Sequence, residues 1–169
     1  MIAALIIIGL VAAQRLGELA YARRNTRALL AKGAVEVGRA HYPLFVLLHG
    51  SWLVAIVAML PPSPPIHWPA LVVLVVLQAL RLWVIATLGP YWTTRIVTLP
   101  GAPLVRGGPY RFLRHPNYAV VVGEIAVLPL VFGQVGVAIV FSILNAALLW
   151  WRIRIEDEAL RARRERAGA

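Results

Sequence analysis

The chain has 169 residues, 60% of them hydrophobic and 14% charged, with a mean hydropathy of +0.76. Soluble domains are closer to half apolar and a quarter charged, so one integral membrane domain, 1–169, is expected. The net charge of +10 does not point to nucleic acid, because the basic residues sit between apolar runs, where they set topology and meet lipid headgroups. The absence of cysteine excludes disulfides, thiol catalysis and Cys-based zinc sites.

Residues 1–20 are apolar at their start and carry Arg15 and Glu18 near their end. Charge that follows the apolar run is the reverse of a secretory signal peptide. A first transmembrane helix with its N-terminus outside is therefore expected. Arg15 and Glu18 are three apart on one helical face and can pair, which reads as a snorkelling interfacial pair ahead of a catalytic role. Residues 21–40 hold Arg23, Arg24, Arg27, Lys32 and Arg39, with breaks at Gly33 and Gly38. They read as a basic, partly helical linker lying on the anionic cytoplasmic leaflet.

A second span is expected at 42–60. His41 and His49 are eight apart, so they can share a face and line a cavity. No third ligand has matching spacing, so no metal site is expected. The proline-rich stretch 61–69 contains no Lys or Arg, and Trp68 stands where an interfacial belt residue would. The third span, 68–88, includes Gln78 and Arg81; Arg81 either snorkels or points into the bundle.

The polar segment 89–117 is too long for an idle connector in a small bundle and reads as a functional cytosolic loop. Within LVRGGPYRFLRHPNY (104–118), Gly107, Gly108 and Pro109 force non-helical backbone. They are expected to bring main-chain N–H groups close to a ligand. Arg106, Arg111, Arg114 and His115 add further donors. Two apolar runs, 118–133 and 134–151, meet at Phe132, Gly133 and Gln134 without a charge at the turn. The first is short of the ~20 residues that span comfortably, which points to a tight hairpin. Glu124 lies inside it and needs a partner, Arg81 or another basic side chain. Residues 152–166 form a charged helix leaving the last span, acidic near its start and arginine-rich towards its end, which suits the helix dipole.

Lys and Arg cluster after the first apolar run, at the end of the third and after the fifth. The positive-inside rule then puts the N-terminus outside and brings 21–40, 89–117 and the C-terminal helix to the cytoplasmic side.

GPYRFLRHPNY, two apolar helices, then Arg152 and Glu156 together resemble the isoprenylcysteine carboxyl methyltransferase family, integral membrane enzymes that use S-adenosylmethionine. The likeness covers about residues 99–160. Upstream, RLGELAYARRN and HYPLFVLLH are similar to a bacterial branch, some of whose members methylate long-chain alkylpyrones or alkylresorcinols. The resemblance implies that Ala102, Pro103, Leu104 and Val105 contact S-adenosylmethionine largely through backbone, and that Tyr110 packs on it. His115, Pro116, Asn117 and Tyr118 would form a second cofactor segment. Glu156 would bind the cofactor, and Arg152 would bind substrate and act in catalysis. A polar residue of the family falls at Arg95. Glu156–Asp157 replaces the commoner Glu–Glu pair, and no family motif fixes a prenyl group or its carboxylate.

The residue chemistry agrees. Arg and His side chains and freed N–H groups can hold a carboxylate, Glu156 can accept from an ammonium or ribose, and Tyr110 and Tyr118 offer flat surface. Arg152 and Glu156, at i,i+4, share one helical face. Methylating a carboxylate or an acidic enol or phenol needs no strong base, so catalysis rests on positioning and electrostatics. The expectation is an all-α integral membrane bundle of five transmembrane segments in a bacterial inner membrane. Membrane lipids and a lipid-like acceptor entering from the bilayer are its expected partners. The rival readings are a phospholipid amine N-methyltransferase of the same fold and a non-enzymatic transporter or scaffold.

Overall fold

The computed structural model describes residues 1–166, with side chains to Arg161. Five α-helices carry the fold: α1 Ile2–Ala31, α2 Tyr42–Ala58, α3 Trp68–Leu88, α4 Pro116–Val131 and α5 Val135–Arg166. Four of them are long and apolar enough to cross a membrane; α4 has 16 residues, about 24 Å of helix, and is the shorter exception. It lies against both α3 and α5, which it joins through the turn at 132–134.

Large aliphatic side chains such as Leu10, Leu47, Val54, Val72, Val75 and Ile143 face outward, while Glu18, Asn25, Arg81, Glu124, Asn145 and Arg152 are buried. That distribution suits hydrocarbon as solvent, where polar groups retreat into the bundle. Ala4, Ile8, Val11, Trp52, Ile56, Leu74, Ile125 and Leu128 form the apolar core of one half. Trp52 Nε1 donates to the Ile125 carbonyl, and Gln134 Nε2 to that of Ile56, so these two donors are tied to backbone.

Two expected boundaries move. Residues 21–31 are not a linker but the continuation of α1, because no Gly or Pro interrupts the chain from Glu18 to Lys32. Gly33, at φ +85°, then reverses the chain: its N–H bonds the Leu30 carbonyl, and Ala34 N–H bonds that of Leu29. Likewise the last span and the charged C-terminal helix are one 32-residue helix, since nothing between Val135 and Arg166 breaks it. The fold is also not purely helical. Strand β1 (Val35–Val37) pairs antiparallel with β2 (Ile96–Thr98), with Glu36 opposite Val97. This clasp ties the segment after α1 to the segment after α3.

Arg15 and Glu18 of α1, Arg81 of α3 and Glu124 of α4 form a buried ion cluster. Arg81 bonds Glu18 through Nε (2.7 and 2.8 Å) and Nη2 (2.6 Å), and reaches Glu124 at 3.2 Å. Arg15 bridges Glu18 at 3.0 Å and Glu124 at 2.5 Å. Two cations face two carboxylates, so the set is neutral. The open alternative for Arg81 closes here, because it points inward; Arg15 and Glu18 are not the snorkelling interfacial pair expected but part of the buried cluster, and both arginines serve Glu124.

Candidate functional site

At the end of the bundle where α1 and α3 finish, a cavity of about 500 Å³ opens between the clasp, the loop 99–115, the start of α4 and the middle of α5. The volume is ordinary for a small-molecule site. Pro103, Leu104, Val105, Tyr110, His115, Asn117, Tyr118, Arg152 and Glu156 line it, as do Arg95, Arg106, Arg111 and Arg114. Ala102 and Pro116 do not. Pro116 is buried in the first turn of α4, where its missing N–H costs no helical bond; Ala102 closes a turn onto the Leu99 carbonyl.

Tyr118 is the junction. Its hydroxyl accepts from Arg152 Nε at 2.8 Å and donates to Glu156 in a close contact. Its ring stacks on His115, centroids 5.3 Å apart and planes 15° from parallel. His115 in turn meets Asp157 at 3.0 Å and lies 3.8 Å from Glu156. The end of the loop and the start of α4 are thus joined to α5 through five side chains, His115 and Tyr118 on one side and Arg152, Glu156 and Asp157 on the other. Tyr110 packs against Ala22, Val84 and Trp92, and burial, aided by the Glu156 charge, pushes its phenol well above the usual range. It stays neutral at any working pH.

Arg152 is buried, with 7% exposure. Its Nη2 donates to the Thr94 carbonyl at 2.8 Å, and its guanidinium lies over the rings of Phe45 (5.2 Å) and Tyr118 (5.7 Å). No carboxylate among the described residues lies within ion-pair distance of it. A buried cation served only by neutral groups leaves a place for an anion.

The glycines act differently from the sequence expectation. Neither Gly107 nor Gly108 lines the cavity. Gly108 has φ +53°, and a Cβ there would come within 2.5 Å of Thr87 Oγ1. It lets the loop press against α3 rather than offering N–H groups to a ligand. His41 also has a structural place: its ring fills the space beside Gly38 and packs on Trp151, centroids 5.7 Å apart. Among the described residues no His, Cys, Asp or Glu group could hold a metal ion.

The donor and acceptor set fits S-adenosylmethionine. Glu156 is a carboxylate at the cavity, the arginines are anion donors, and Tyr110 and Tyr118 are aromatic walls. Asn117 Oδ1 is buried without a hydrogen-bond partner, as is Trp92 Nε1 beside the same cavity. Trp92 was not singled out from the sequence. Nor was Thr94, whose contribution is a carbonyl and so leaves no side-chain signature.

The model of the isoprenylcysteine carboxyl methyltransferase (ICMT) family matches residues 70–162. The chain belongs to this family. Its members are membrane methyltransferases, and the matched residues run from α3 through the cavity loop into α5, leaving α1, β1 and α2 outside. The uncharacterized protein YpbQ of Bacillus subtilis (strain 168) is 40% identical over 159 residues, 92% of this chain and 95% of the relative. An uncharacterized protein of Haemophilus influenzae (strain ATCC 51907 / DSM 11121 / KW20 / Rd) is 27% identical over 151 residues, 86% and 88% of the two chains. No solved structure matches the chain.

Proposed function

We propose that this family member is an S-adenosylmethionine-dependent O-methyltransferase acting on a lipid-like acceptor with an acidic oxygen. The acceptor would be an isoprenylcysteine-type carboxylate or, as in the bacterial branch the N-terminal half resembles, an alkylpyrone or alkylresorcinol hydroxyl. The observation that carries the reading is Arg152, a buried guanidinium in the cavity wall with no carboxylate at ion-pair distance among the described residues. It favours an oxyanion over the amine of a phospholipid.

The bound cofactor supplies an electrophilic methyl group on a sulfonium; the O–CH₃ bond forms as the S–CH₃ bond breaks. Glu156 and Asn117 would hold the polar edges of the cofactor, and Tyr110 and Tyr118 its flat parts. The segment Pro103, Leu104 and Val105 would close over it. Arg152 would stabilise the ionised acceptor oxygen and aim it, with Tyr118 fixing the angle between Arg152 and Glu156. No strong base is needed for an acceptor that is already acidic, so catalysis would be positional and electrostatic.

The basic residues around the cavity support a cytoplasmic placement of that end, with the N-terminus outside. Two bacterial relatives support a bacterial cell membrane. Calorimetry with S-adenosylhomocysteine in detergent tests the cofactor, and Glu156→Ala should weaken its binding about tenfold or more. An unchanged dissociation constant removes Glu156 from the site, and no binding by the wild type favours a transporter or scaffold. Arg152→Ala should abolish transfer to acidic acceptors from a lipid extract; unaltered transfer to an amine would favour the phospholipid reading.

A further inference from the structure

Arg152 is held by Thr94, inside the matched span, and Thr94 is in turn held by residues that lie outside it. Arg152 Nη2 bonds the carbonyl of Thr94, which lies two residues before β2. Thr94 is fixed on both sides. Its hydroxyl meets the Tyr42 hydroxyl at 3.3 Å. The next residue, Arg95, bonds Glu36 of β1 at 2.9 Å and 3.2 Å and lies over the Tyr42 ring at 4.7 Å. The Glu36 side chain is only 3% exposed, and pairing places Glu36 opposite Val97. Phe45, one turn beyond Tyr42 on α2, lies against the same guanidinium.

Resting on the oxyanion reading of Arg152, we infer that Glu36 and Tyr42 are positioning residues for the acceptor clamp. The clasp and the start of α2 form the acceptor side of the site, whereas the loop and Glu156 form the cofactor side. The physical basis is the geometry of the guanidinium fork. Nε and Nη2 are committed to Tyr118 and Thr94, so the donor edge left for an acceptor is set by where the Thr94 carbonyl sits. Loosening Tyr42 or Arg95 lets that carbonyl rotate, and the fork with it. Residues 35–45 lie outside the matched span 70–162, so acceptor choice can differ among members that share the cofactor loop.

Two ligands separate the sides. S-adenosylhomocysteine reports the cofactor side; palmitate against methyl palmitate reports preference for a hydrophobic anion over its neutral ester. The detergent-solubilised full chain should prefer palmitate. Tyr42→Phe and Glu36→Gln should each cut that preference by about fivefold, the worth of one such hydrogen bond, with the S-adenosylhomocysteine dissociation constant within about twofold of wild type. Arg39→Ala serves as control: Arg39 also pairs with Glu36, but is 73% exposed, and its loss leaves the Glu36–Arg95 pair that bears on Thr94 in place, so neither ligand should be affected. An unchanged anion preference in both variants overturns the inference, as does equal weakening of both ligands, which would mark a general structural role. A wild type that does not distinguish the acid from the ester overturns the clamp itself. A wild type that binds no S-adenosylhomocysteine instead sinks the methyltransferase reading, and shows this without any variant.

Discussion

A single hydroxyl, that of Tyr118, satisfies a buried cation on one side and a carboxylate on the other. Tyr118→Phe keeps the ring stacked on His115 and removes both bonds. Hydrogen bonds to charged groups are worth more than neutral ones, so S-adenosylhomocysteine affinity should fall about tenfold. Calorimetry reads this directly, and an unchanged affinity would mean that the hydroxyl is idle. Arg81 shows a different kind of dependence. Replacing it with Leu leaves the two carboxylates, Glu18 and Glu124, to share Arg15 as their one remaining cation in the cluster. Removing one partner of a buried ion set costs about 3–5 kcal/mol. A thermal melt in detergent should show a large loss; a melt like the wild type's would show that the cluster contributes little. At this scale the sequence was informative wherever spacing encodes geometry. Arg152 and Glu156 share a face because they are one turn apart, and Glu124 declared its need for a partner by being a carboxylate among hydrocarbon. It was silent on Thr94, because every residue has a carbonyl, and on which arginine would reach Glu124, because α1, α3 and α4 come together only in three dimensions.

Helices were legible from apolar runs, but their ends were not where charge changes. The basic residues at the ends of the first and fifth runs suggest boundaries, yet Arg and Ala are good helix formers and both helices continue. The clasp is invisible for another reason: VEV and IVT are three-residue strands far apart in sequence, Glu36 pairing with Val97, with no local alternation to mark them. Gly108 belongs to this scale because its absent side chain decides how closely the loop approaches α3. Gly108→Ala combines a left-handed φ of +53° with a clash at Thr87 Oγ1. It should lower the melting temperature, with destabilisation above about 1 kcal/mol. Adding Thr87→Ala should restore part of the loss by removing the clash while leaving the backbone strain. A double variant no better than Gly108→Ala would show that strain alone is responsible.

Across the whole molecule, charge asymmetry and cavity position bear on the same question. The turn at 132–134 and the connector 61–67 carry no Lys or Arg, and they lie together, with His67 N–H bonded to the Val131 carbonyl. The opposite end holds the clasp, the arginine-rich loop and the cavity. If positive residues stay inside, a soluble methyl donor reaches the cavity from the cytoplasm, while an acyl or prenyl chain can remain among the outward aliphatic faces. The orientation can be tested cleanly because the chain has no cysteine of its own. Ser63→Cys and Lys32→Cys each place one thiol at an exposed position, at opposite ends of the bundle. A membrane-impermeant maleimide should label Ser63→Cys in intact cells and Lys32→Cys only after the cells are opened. The reverse pattern would put the cavity outside, away from the cellular supply of S-adenosylmethionine. The proposed chemistry would then lose its methyl donor even with every residue contact intact.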